Sequence, residues 1–140
     1  MAKAEIYNGL GFPIILVGAK KMRTPFGEAL NINHVAISDK VFKLMIRKPA
    51  RFSGAELKFI RHHMRLTQKS LSDLLGVERT SISKWEGEDL KVSGMPSASE
   101  GYLRVHMAKF IDADVNIELT HFESAIRQTK VGEPMKVKAA

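Results

Sequence analysis

Residues 66–87 constrain this chain more than any other stretch. Thr67 carries a hydroxyl suited to accept from an orphan amide in the first turn of a helix. Leu71, Leu74 and Leu75 follow at helical spacing, and Gly76 supplies a backbone free to enter a left-handed turn. Val77 is expected to bury at the corner. A second helix is expected from Arg79, with Ile82 and Trp85 three apart on its inward face. Arg79, Thr80, Ser83 and Lys84 are left for the outward face. Two short helices and a tight turn of this kind make a helix-turn-helix, whose second helix offers its first side chains to base edges in a DNA major groove.

Charge placement agrees with that reading. The net charge is +7, and residues 40–69 hold nine basic side chains against one acidic. A surplus beside the first helices of the motif is what neutralisation of phosphates requires. With 44% hydrophobic and 26% charged residues the composition is that of a globular chain. The longest apolar run, residues 12–17, is far short of a membrane span. The first residues lack the apolar stretch of a signal peptide, and there is no cysteine, so a cytoplasmic protein without disulfides is expected. No cofactor is expected, and no structural zinc, because closed sites of that kind lean on thiolates.

In chain order, residues 4–32 read as β. Residues 5–7 and 12–17 are rich in apolar, β-branched or aromatic side chains and are broken by Gly9, Gly11 and Gly18. Pro13 suggests an edge strand or a strand start. Residues 24–27 mark a turn, and residues 29–32 a third short strand. Residues 36–48 have a helical period with Val41, Leu44 and Met45 on one side, a cap at Ser38 or Asp39, and Arg47 and Lys48 in the last turn. Ser53 and Glu56 form a capping-box pattern that opens a helix with Leu57, Ile60 and Met64 inward. A helix from Ser97 or Ser99 should turn most of Tyr102, Leu103, Val105, Met107 and Phe110 inward. A last helix is expected over 117–128, and a frayed tail from 131.

The run from Thr67 and Gln68 through Leu71, Leu75, Gly76 and Val77 to Ile82, Trp85 and Glu86 resembles the Xre/Cro-repressor family of DNA-binding domains, over residues 54–110. Tyr7, Gly9 and Leu10, the turn at 24–27, and the run from Lys48 to Arg61 extend the resemblance to YgiT/MqsA-type antitoxin-like regulators. The zinc-binding Cys-x-x-Cys pairs of that group are absent. The resemblance implies an α+β chain: a small N-terminal β-rich arm (1–35), a linker helix (36–52), an all-α lambda-repressor-like helix-turn-helix domain (53–112), and a C-terminal helix and tail (113–140). It implies a transcriptional regulator, a repressor by expectation, that reads double-stranded DNA with helix 79–86.

The same resemblance assigns the site residues. Arg79 and Thr80 match the leading base-reading positions, and arginine there makes a bidentate contact to guanine. Ser83 and Lys84 reach a base edge or a phosphate one turn later, and Ser81 touches the DNA backbone. Gln68, flanked by Thr67 and Lys69, braces against phosphate or against the recognition helix. Glu86 matches an acid that pairs with an arginine of the preceding helix, here Arg61. The alternative is an antitoxin that binds a toxin protein through its N-terminal arm and autoregulates its operon. A homodimer is expected, because one such motif covers few base pairs, with the arm or the apolar Leu119, Phe122 and Ile126 as its surface. An enzyme is not expected: the five histidines are scattered, and no HExxH, phosphate loop or nucleophile elbow occurs.

Overall fold

A computed structural model describes residues 3–139. The chain is a mixed α+β fold of N-terminal strands followed by six helices. It divides into two compact units, one of residues up to Val41 together with those from Glu133, the other of residues 42–132. No described helix is long and apolar enough to cross a membrane.

In the first unit, β1 (Ala4–Tyr7) pairs antiparallel with β2 (Ile14–Val17). β2 starts directly after Pro13, which therefore marks a strand start. Alternation along β2 buries Ile14 and Leu16, and these join Phe12, Ile37, Val41 and Val137 as the buried apolar residues of this unit. Two elements were not expected. β3 (Lys20–Thr24) pairs with β4 (Gly27–Asn31) as a separate two-stranded hairpin. The tail is not frayed: β5 (Lys136–Lys138) adds to β2 in parallel, Ile15 opposite Lys136 and Val17 opposite Lys138. Tyr7 Oη lies 2.7 Å from His34 Nδ1, and Lys40 Nζ donates to the Lys138 carbonyl at 3.0 Å.

Helix α1 (His34–Ile46) contains the boundary between the units. It starts before Ser38 and Asp39 because Asn33 caps it, its side chain accepting from the Ala36 amide. The second unit holds α2 (Gly54–His63), α3 (Gln68–Leu75), α4 (Arg79–Glu86), α5 (Ser97–Phe110) and α6 (Val115–Phe122). The capping box at α2 forms as the spacing predicts, with Ser53 Oγ accepting from Glu56 N and Glu56 accepting from Ser53 N. The last helix begins at Val115, two residues earlier than expected, because Asp114 accepts from the Asn116 and Ile117 amides. It ends at Phe122, and a 3-10 turn (Ala125–Arg127) follows. Phe122 is buried and Ile126 half-buried, which leaves Leu119 as the exposed member of the expected dimer surface. On α5 the inward set is Leu103, Met107 and Ala108, while Tyr102 and Phe110 stay exposed.

Ionic groups hold α5 against the segment between α1 and α2. Glu100 and Arg104 are fully buried and paired at 3.0 Å. Arg104 also donates to the carbonyls of Lys48 (2.7 Å) and Ala50 (2.6 Å), and its guanidinium lies 4.3 Å from the Phe52 ring centroid. Glu100 takes a further bond from Arg51 Nε at 3.0 Å and one from the Phe52 amide at 2.9 Å. Lys48, expected in the last turn of α1, instead turns inward to Glu56 at 2.5 Å. Burial pulls both Lys48 and Arg104 below their ordinary pKa, against the opposing pull of Glu56 and Glu100.

Candidate functional site

Helices α3 and α4 present the residues singled out above. Thr67 caps α3 by accepting from the Ser70 amide at 3.0 Å, so its hydroxyl is engaged in holding the helix start. Gly76 ends α3 at φ 67 and ψ 35, a left-handed conformation in which a side chain would be strained. Val77 at the corner is half-buried. Leu71 and Ile82 are fully buried and Trp85 nearly so, which fixes the rotation of α4. Arg79, Thr80, Ser83 and Lys84 are therefore all exposed, and Ser81 is half-buried.

A buried brace holds this surface from behind. Arg61 Nε and Nη2 donate to the two oxygens of Glu86 at 2.6 and 3.0 Å, a bidentate pair linking α2 to α4. Arg61 Nη1 donates to the Leu66 carbonyl at 3.0 Å, and Gln68 Nε2 donates to Glu86 at 3.3 Å. One carboxylate thus ties the end of α4 to α2 and to the start of α3. Gln68 is thereby joined to α4, one of the two partners that the resemblance offers it.

In front of the brace is an open cleft of about 500 Å³ lined by Arg61, Arg65, Thr67, Gln68, Lys69 and Arg79, with His62 and Leu66. It brings four of the expected residues together; Thr80, Ser81, Ser83 and Lys84 are not in its lining. Arg65, on the turn before α3, is held left-handed at φ 58, a cost of about 1–2 kcal/mol for a residue with a Cβ. Lys69 pairs with Asp73 at 2.9 Å, but both are widely exposed, so the pair is worth only about 0.3–0.5 kcal/mol.

The basic surplus of residues 40–69 proves to be partly structural. Lys48, Arg51 and Arg61 are committed to Glu56, Glu100 and Glu86, and Arg47 pairs with Glu118 at 2.7 Å. The hydrogen bonds from Arg47 hold the Glu118 carboxyl below the usual range. These carboxylates lie mostly outside the basic run, so a local charge count could not find the pairing. On the α3–α4 side, Arg65, Arg79 and Lys84 have no carboxylate partner among the described residues. Among those residues, no group of three histidines or carboxylates is placed to hold a metal ion. Compared with known protein families, curated proteins and solved structures, the chain matches none of them.

Proposed function

We propose that the chain is a sequence-specific binder of duplex DNA, a transcriptional regulator in which α3 and α4 form a helix-turn-helix of the Xre/Cro type. The observation that carries this reading is the exposed row Arg79, Thr80, Ser83 and Lys84 on a helix locked by buried Ile82, Trp85 and Glu86. A short helix held along one face, with polar and cationic side chains outward, suits insertion into a major groove. Arg65, Lys69 and Lys84 are the phosphate contacts in this reading, and Arg79 the base reader. The antitoxin alternative rests on the resemblance alone.

Selection from a random DNA pool, followed by titration at several salt concentrations, tests the reading. A recurring site is expected, with affinity falling by about three counterions released per chain. Arg79→Ala is expected to relax preference at one base position at a cost of about 1–3 kcal/mol, while Lys69→Ala weakens all sequences alike. Failure to enrich any sequence, or binding indifferent to salt, overturns it.

The reading also calls for a homodimer on a two-fold site, its recognition helices spaced by about 34 Å. Exposed Phe110, Ile117 and Leu119 supply apolar surface for a second copy. Light scattering at micromolar concentration should give twice the chain mass. The mass of one chain, with a selected site lacking an inverted repeat, rules the dimer out.

A further inference from the structure

The hairpin of β3 and β4 buries almost nothing of its own: eight of its ten strand positions are exposed, and the other two, Thr24 and Leu30, are half-buried. At its tip, between Thr24 and Gly27, stand Pro25 and Phe26, and Phe26 is 100% exposed. The tip is nevertheless ordered. Thr24 Oγ1 donates to the Gly27 carbonyl at 2.7 Å and accepts from the Phe26 amide at 3.2 Å. Behind it, Lys20, Lys21 and Arg23 are all exposed, against Glu28 as the one acid of residues 20–31 and Glu5 of β1, which lies 3.5 Å from Lys21 Nζ in a pair open to solvent. A lone exposed aromatic is unremarkable. An aromatic fixed at the end of a cationic two-stranded ribbon is a different object.

We infer that this hairpin is a DNA-contacting arm, whose lysines and arginine lie along phosphates while Phe26 wedges between base pairs from the minor groove. The inference rests on the reading of the chain as a binder of duplex DNA. Charge selects the occupant. The ribbon carries three cations and, besides the tip, only Met22, Ala29 and half-buried Leu30 as apolar side chains. That is too little for the core of a protein interface, which takes about 800 Å² per partner. Phosphates match the cations. An unstacked base step gives the ring a place to bury, and apolar wedges of this kind kink the duplex toward the major groove. Fixing the tip through Thr24 lowers the entropy lost when the ring inserts.

The test uses the full chain and the DNA site recovered by selection, with long flanks, carrying a donor and an acceptor fluorophore at its ends. Wild-type protein is expected to shorten the end-to-end distance. Phe26→Ala should abolish the shortening and weaken binding roughly tenfold, the range for one base–aromatic stack. Its thermal unfolding should be unchanged, because the ring contacts nothing that holds the fold. Phe26→Trp should restore bending and show fluorescence quenching on DNA that the wild type lacks. If Phe26→Ala binds and bends as wild type does, the arm is refuted while DNA binding stands. If Phe26→Ala instead lowers the oligomeric mass and leaves bending intact, the tip is a protein contact and the inference falls. If the wild type enriches no site at all, the underlying reading fails and takes the arm with it.

Discussion

Replacing Glu100 by alanine is expected to lower the stability of the helical unit by about 3–5 kcal/mol. Removing this carboxylate leaves the Arg104 guanidinium fully buried without a counter-ion and takes a partner from Arg51. It also removes the acceptor of the Phe52 amide, itself buried. The remaining carbonyl acceptors of Arg104 orient it but carry no net charge. Glu100→Gln keeps the shape and one acceptor oxygen, so its loss should be smaller, which separates the charge from the hydrogen bond. Urea unfolding monitored by Trp85 fluorescence would measure both. A loss below about 1 kcal/mol for the alanine variant would mean that water reaches Arg104 in place of the carboxylate.

A second large loss, about 3 kcal/mol, is expected for Gly54→Ala. Gly54 opens α2 where the end of α4 passes close by. A Cβ there would meet the Trp85 carbonyl well inside contact distance, and the Glu86 carbonyl and Asp89 amide nitrogen at 2.8 Å each. All three are backbone atoms, so no side chain can swing aside. Gly87→Ala is the control: its nearest atoms lie at 3.3 and 3.4 Å and its φ is −69°, so little change is expected. Since the clash falls on the last turn of α4, Gly54→Ala should also weaken the DNA binding proposed for that helix. A Gly54→Ala protein with unaltered urea midpoint would show that the two helices can part without cost.

Local signals predicted the local parts of this structure well. The Ser53–Glu56 capping box, the Thr67 cap, the Gly76 turn and the inward Leu71, Ile82 and Trp85 each depend on residues a few positions apart, so spacing alone defines them. What escaped is long-range. The parallel pairing of β5 with β2 joins opposite ends of the chain, and three residues with one apolar side chain carry no readable period. Lys20, Lys21 and Arg23 hid β3, because cations argue for a loop until a partner strand is known. Glu100 and Arg104, four apart on a helix, have the pattern of a solvent-facing pair. Only the carbonyls of Lys48 and Ala50 and the ring of Phe52 make that place an interior. At the candidate site, the exposed row on α4 was legible. The division of the basic run into structural and available cations was not, since the acids that decide it lie mostly elsewhere in the sequence.

The β2–β5 pairing has a consequence for the order in which the chain folds. Closing a sheet between strands so far apart costs loop entropy that no local contact repays, and such pairings are slow. The helical unit lies inside that loop. Once formed, it draws its own two ends together: the Arg51 amide donates to the Lys130 carbonyl at 2.9 Å, and Gly132 passes so near Ala50 that a Cβ there would lie 2.9 Å from the alanine methyl. The helices then act as a clasp that shortens the search, so the sheet condenses on a loop already closed for it. Folding should run from the middle of the chain outward, with the N-terminal strands waiting for the last to arrive.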